Sequence, residues 1–232
     1  MISNKKIFIS GGGTAEDSFL LDKKFVSALR RRKVLYIPIA LNRDTIGFES
    51  CYDWIISSLS PHSKEFVDIT MLLDLQSQSL EISDFDGIYI GGGNVYRLLK
   101  YFLDAGFDKT LKIFLKNGGI IYGGSAGAII LGQSIETVSE ENTENYKYNK
   151  GLSLIKDYSI KCHYRIADDN RIEKFIESHQ CQVIALSEGA GLIIGEDGAE
   201  VVGYGDVLIF DLNGEKNNVK ADKFLNYICL NN

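Results

Sequence analysis

Short unbroken apolar runs alternate with amphipathic stretches through the first three-fifths of the chain. "KKIFIS" (5–10) reads as a strand, followed by "GGGT" and helical spacing from about Asp17 to Arg31. "KVLYIPIA" (33–40) is a second strand, with a helix from about Thr45 to Leu59, and "KEFVDIT" (64–70) a third. "DGIYI" (86–90) ends in "GGGN" and a helix that puts Val95, Leu98, Leu99 and Phe102 on one face. A further helix (108–116) leads into the fifth strand, "GGIIYGG". Strands without alternation are covered on both faces, and the repeated βα order predicts a parallel sheet with helices on both sides.

The last third changes character. "YSIKCHY" (158–164), "QVIALS" (182–187), "GLIIGED" (191–197) and "AEVVGYGDVLIFD" (199–211) read as strands with little helix between them. Glu196-Asp197-Gly198 is a hairpin turn. These strands are expected to extend the same sheet in antiparallel fashion. The polar stretch "SEENTENYKYNK" (139–150) reads as a surface loop. With no repeat and no Pro-rich linker, residues 1–232 are expected to form one domain.

A net charge of −6 gives no basic footprint for nucleic acid. "RRRK" (30–33) reads as the solvated end of an amphipathic helix, complementing its dipole. The four cysteines form no CxxC pair and no zinc spacing, so neither a metal site nor a disulfide framework is expected. The start lacks the apolar core of a signal peptide, and no apolar run of about 18 residues is present. The expectation is a cytoplasmic protein with reduced thiols and no membrane partner.

Candidate chemistry concentrates in three glycine clusters, 11–13, 91–93 and 123–124, each at the C-terminal end of a predicted parallel strand, where open α/β sheets bind ligands. Close packing alone explains one such cluster less strainedly than three. "GGGTAED" and "GGGNVYR" both lack the G-x-G-x-x-G spacing, and no P-loop is present, so no nucleotide cofactor is expected. Gly123-Gly124-Ser125-Ala126-Gly127 is G-x-S-x-G between a strand and a helical segment, the setting of a nucleophile elbow. Ser125 is then the candidate nucleophile and the Ala126 N–H a candidate oxyanion donor. A serine needs a base. His62 falls in a turn after Pro61, and His179 ends a helical pattern, whereas His163 closes the strand "YSIKCHY" and is the expected base.

"GIYIGGGNVYRLL", "YGGSAGAIILG", "CHYR…NRIEKFI" and "VIALSEGAGLII" occur in an order and at separations that resemble the peptidase E–like serine hydrolases, which include aspartyl dipeptidases and cyanophycinases. The resemblance spans Ile7 to about Phe210. It implies a flavodoxin-like fold related to class I glutamine amidotransferases and a Ser–His–acid mechanism; no cofactor, a small peptide substrate and a monomer or homodimer are expected beside it. It also implies that "GGGN" supplies a second oxyanion donor, on Gly92 or Gly93, and it puts Asn94, Arg165 and Arg171 among the substrate-binding candidates, the arginines as partners for an acidic side chain. For the triad acid, "SEGAGL" is similar to the acidic turn of cyanophycinases and points to Glu188; Glu136 and Glu140 resemble a position assigned in the dipeptidases. Cys162-His163-Tyr164 stands where those enzymes have Pro-His-Phe, which loosens the expectation of aspartyl specificity. Cyanophycinase-like hydrolysis, and a non-catalytic small-molecule binding module on the same fold, are the alternatives.

Overall fold

The computed structural model describes residues 5–41, 46–76, 80–138, 140, 142 and 146–231. In chain order the elements are β1 (Lys6–Ser10), α1 (Ala15–Ala28), β2 (Lys33–Ile37), α2 (Phe48–Leu59), β3 (Asp68–Met71), β4 (Gly87–Ile90), α3 (Val95–Asp104), α4 (Phe107–Lys116), β5 (Ile120–Gly124) and α5 (Ala126–Ile129). There follow β6 (Tyr158–Lys161), α6 (Asp169–His179), β7 (Gln182–Leu186), β8 (Ala190–Ile194), β9 (Ala199–Gly203), β10 (Val207–Phe210), β11 (Lys216–Val219) and β12 (Phe224–Leu225). Among the described residues no helix is long and apolar enough to cross a membrane.

The main sheet has the order β12-β9-β8-β1-β5-β4-β2-β3. Its five strands from β1 to β3 run parallel, and β8, β9 and β12 continue it antiparallel. This is the expected flavodoxin-like α/β sheet with its antiparallel extension. The extension takes only part of the last third. β6, β7, β10 and β11 form a separate four-stranded sheet, in the order β11-β10-β7-β6. Its apolar runs explain why. β6 and β10 are buried at every residue and β7 at all but its first, so both faces need cover. One face joins the core under α3, α4 and α5 through Ile160, Ile184 and Ile209; the other packs Val183, Leu208 and Phe210 on α6.

Three local readings are corrected. The basic run 30–33 does not end a helix: α1 stops at Ala28, and Arg31 and Arg32 pair with Asp86 and Glu65 in the turn to β2. The helix begins earlier than Asp17 because Thr14 and Asp17 form a reciprocal capping box, Thr14 N–H donating to Asp17 at 2.7 Å. The strand "YSIKCHY" ends at Lys161, and Cys162–Tyr164 turn away toward the sheet edge. The expected start of α2 at Thr45 lies outside the described residues.

Alternation along the parallel strands sorts the two faces. Ile7, Ile9, Leu35, Ile37, Ile88, Ile90 and Ile121 face the core with α3 and α4. Phe8, Tyr36, Tyr89 and Tyr122 face α1 and α2. Register places these four side by side: Phe8 opposite Tyr122, Tyr122 opposite Tyr89, Tyr89 opposite Tyr36. The result is an aromatic row across four strands, with Tyr89 stacked on Tyr122 at 4.2 Å.

Asp22 of α1 is fully buried beside this row. One carboxylate oxygen accepts from Ser18 at 2.7 Å, and the other has no hydrogen-bond partner. Burial raises its pKa to about 6, with the Ser18 bond and the nearby Tyr122 hydroxyl, which stops short of a hydrogen bond, opposing. The sign follows directly: the folded state holds the proton more tightly than the unfolded chain, so stability falls as pH rises from about 4 through 6. At pH 8 the ionised group costs up to about 3 kcal/mol. Asp22→Asn is expected to stabilise the protein by about 1–2 kcal/mol at pH 8 and to flatten the loss between pH 4 and 7, as urea melts at several pH values would show.

Candidate active site

The three glycine turns meet where β1, β4 and β5 end side by side. The outer glycines of G-x-S-x-G are fixed by close approach: a Cβ on Gly127 would lie 2.3 Å from the Ile90 carbonyl oxygen, and one on Gly123 would lie 2.7 Å from the Gly127–Ala128 backbone. Between them Ser125 takes φ 49° and ψ −111°, a strained conformation for a residue with a side chain, at a cost of about 1–3 kcal/mol. Its N–H donates to the Ser10 carbonyl. The single helical turn of α5 follows.

Ser125 Oγ lies 2.8 Å from His163 Nε2. His163 sits at φ 52°, just past β6, its N–H donating to the Gly11 carbonyl at 3.0 Å. Its Nδ1 lies 2.9 Å from Glu188 Oε1. A carboxylate there accepts from Nδ1–H, which leaves Nε2 to accept from the serine hydroxyl. Glu188 occupies the turn from β7 to β8, pinned by Ser187 through bonds to the Asp206 carbonyl and from the Asp206 N–H. Cys162 is buried, with burial pushing its thiol up to about 12, and its Sγ lies against the carbonyls of Ser10 and Ser125. It packs the elbow and supplies no thiolate.

Gly92 packs directly on Ser125, where a Cβ would lie 3.3 Å from the serine's own. Among the described residues the N–H groups of Gly92, Gly93 and Ala126 donate to no protein acceptor. The other sequence-predicted residues fall nearby in different roles. Asn94 caps α3, accepting from the Arg97 N–H. Glu136 bonds His179 at 2.5 Å and Asn149 at 2.8 Å, away from His163. Glu140 accepts from the Val95 N–H at 2.7 Å, and burial raises its pKa. Arg165 is exposed. Arg171 is bonded to Asp168 and the Thr137 carbonyl, and neither arginine lines a cavity beside Ser125.

Comparison with known proteins bears on this arrangement. Residues 7–202 match the model of peptidase family S51. The chain belongs to that family. As an S51 member it is a serine peptidase. Peptidase E of Actinobacillus pleuropneumoniae serotype 3 is 25% identical over 214 residues, covering 88% of this chain and 89% of its own. A Drosophila melanogaster protein named "Probable alpha-aspartyl dipeptidase" is 24% identical, over 79% of this chain and 78% of its own. The crystal structure of a peptidase from an acI-B1 Actinobacterium shares the fold at TM-score 0.69 and 17% identity, covering 96% of each chain.

Two cavities open onto Ser125 and His163 of this S51 peptidase. One, about 120 Å³, is lined by Val95, Ile129, Glu140, Lys161 and Cys162. Lys161 is buried; its ammonium donates to the Cys162 carbonyl at 3.0 Å and lies 3.5 Å from Asp168, which also holds Arg171. Burial lowers its pKa. Lys161 was hidden in the sequence because it reads as one more residue of "YSIKCHY". The other cavity, about 420 Å³, is walled by Tyr36, Cys51, Trp54 and Tyr89. Its signal was an aromatic residue recurring in "FIS", "YIP", "YIG" and "YGG" just before each strand ends. A further cavity of about 500 Å³ lies at the opposite end of the sheet, by Arg31, Asp86 and Gly119.

Proposed function

We propose that the chain hydrolyses an amide bond in small peptides through Ser125, His163 and Glu188 and an acyl-enzyme. Ser125 Oγ attacks the carbonyl carbon while its proton passes to His163 Nε2. The N–H groups of Ala126 and of Gly92 or Gly93 receive the oxyanion. As the C–N bond breaks, His163 returns the proton to the leaving amine; water then attacks the ester, giving a proton to His163, which passes it to Ser125 Oγ as the C–O bond breaks and the acid is released. Glu188 holds the imidazole tautomer and stabilises the imidazolium. The observation that carries this reading is the unbroken line of two short hydrogen bonds from Ser125 through His163 to Glu188.

For the residue on the acyl side we propose an aspartyl group with a free amine. The small cavity beside Ser125 offers it a buried ammonium, Lys161, and a carboxylate, Glu140. The resemblance to a protein named for aspartyl dipeptides supports the same choice. Lys161, with Arg171 behind it on the shared Asp168, takes the part expected of Arg165 and Arg171. We propose a reducing, cytoplasmic setting, in keeping with four cysteines of which none is in a disulfide.

The test is covalent labelling by a small fluorophosphonate, mapped by mass spectrometry, alongside hydrolysis of aspartyl dipeptides. Label is expected on Ser125 in the wild type and nowhere in Ser125→Ala, with hydrolysis lost in parallel. A wild type that neither takes label nor cuts any peptide would return the chain to the binding-module alternative.

A further inference from the structure

The two cavities at Ser125 open from opposite faces of the sheet and have unlike walls. Val95, Ile129 and Cys162 of the small one belong to the core under α3 and α5. Tyr36, Cys51, Tyr89 and Trp54 of the large one belong with α1 and α2. The large cavity is where the aromatic row reaches the catalytic edge. Tyr89 meets Tyr36 at 5.7 Å and Trp54 at 6.0 Å, in both cases nearly edge-on, so the wall presents both ring faces and ring edges. Among the described residues that line it there is no lysine, arginine, aspartate or glutamate. The polar residues that line it are serines, glycines, the tyrosines Tyr36 and Tyr89, and His163 of the site itself. A concave wall of this size built on three aromatic rings suits an aromatic or large aliphatic side chain, while a charged one would lose hydration against it and meet no counter-charge among the described residues that line it.

Resting on the peptidase reading above, we propose that this cavity receives the residue on the amine side of the scissile bond and selects an aromatic or large aliphatic side chain there. The side follows from the proton path. Gly12 and Gly13 form part of the cavity rim, and Gly12 is held directly against the His163 ring. An amine that takes its proton from His163 Nε2 departs along that rim. The acyl half is anchored at the other face, in a cavity of about 120 Å³ that has no room for a second residue. The substrate class is therefore a short peptide with an aspartyl residue followed by phenylalanine, tyrosine, leucine or a residue of similar bulk.

A panel of dipeptides sharing the first residue tests this: Asp-Phe, Asp-Leu, Asp-Gly, Asp-Lys and Asp-Glu. The kcat/KM of Asp-Phe and Asp-Leu is expected to exceed that of Asp-Gly and Asp-Lys by at least about 100-fold, because glycine leaves a pocket empty in which each methylene is worth roughly 10-fold or more and the lysine ammonium would be desolvated there. Ser50 lines the same cavity at an exposed position, so Ser50→Lys should keep the fold and raise Asp-Glu about 10-fold relative to Asp-Phe. Trp54 is the only tryptophan in the chain and lines this cavity. In Ser125→Ala its fluorescence reports occupancy without turnover, and uncleaved Asp-Phe should shift it saturably while Asp-Lys should not. A flat kinetic panel overturns the subsite. With Phe-Leu added to the panel, faster cleavage of Phe-Leu than of Asp-Leu overturns its assignment to the amine side. If no dipeptide is cut, the fluorescence decides: a selective response to Asp-Phe upholds the subsite and overturns the peptidase reading, and no response overturns both.

Discussion

Glu188→Gln is expected to lower kcat by about three to four orders of magnitude, with KM and melting temperature near those of the wild type. Glutamine matches glutamate in shape, so the turn from β7 to β8 is undisturbed. What changes is the proton arrangement. The carboxylate accepts from His163 Nδ1 at 2.9 Å and so commits the ring to the tautomer whose Nε2 faces Ser125 with a lone pair. An amide can satisfy the same contact by donating to Nδ1. The ring then carries its proton on Nε2 and cannot accept from the serine, and the imidazolium formed in the transition state loses its counter-charge. The same substitution separates the rival acids. Glu136 is bonded to His179 and Asn149, so Glu136→Gln should leave kcat within a few-fold of wild type. Glu140 lines the small cavity, bonded to the N–H of Val95 at the start of α3, and makes no hydrogen bond to His163, so Glu140→Gln is expected to act on KM more than on kcat. Steady-state kinetics on one dipeptide distinguishes all three. A near-normal kcat for Glu188→Gln would remove it from the proposed triad.

Much of this was legible in the sequence, and the reasons differ from residue to residue. The parallel strands announced themselves because both faces are covered, which makes "KIFIS" or "GIYI" apolar throughout. The elbow was legible because Gly123 and Gly127 are forced by backbone contacts that no larger residue permits. His163 could be reached by elimination among three histidines: His62 packs edge-on to Phe19, and His179 stacks on Phe175. The second sheet was not legible. "AEVVGYGDVLIFD" looks like one long strand or a hairpin, and only the turn at Tyr204–Asp206, bonded to Gly189 and Ser187, sends β10 into a different layer from β9. The cation beside the nucleophile was missed for a related reason. Sequence proximity to His163 favoured Arg165 and Arg171, but the chain turns sharply after Cys162. The residue two places before the histidine therefore faces the cavity, and those after it run outward.

Gly12→Ala should cut kcat/KM by about 100-fold or more while the protein stays folded. A Cβ at this position would lie 2.3 Å from His163 Cε1 and 2.6 Å from Nε2, distances that real atoms do not sustain. The backbone has little room to retreat, because the Gly12 N–H is bonded to Ser10 Oγ and the carbonyl accepts from Gly189. The imidazole must therefore move, and a displacement of about 1 Å is enough to break the 2.8 Å contact with Ser125 and misalign proton transfer. Part of the effect is generic, since Gly12 sits at φ +97° and alanine there pays roughly 1–2 kcal/mol of backbone strain. Gly118→Ala isolates that part. Gly118 has φ +87°, nothing within 4 Å of where its Cβ would go, and a position at the far end of the sheet. Both variants should lose similar stability in urea melts, and only Gly12→Ala should lose turnover and the fast fluorophosphonate reaction. Equal activity in the two would mean that the ring tolerates displacement, and that the glycine turn after β1 serves packing alone.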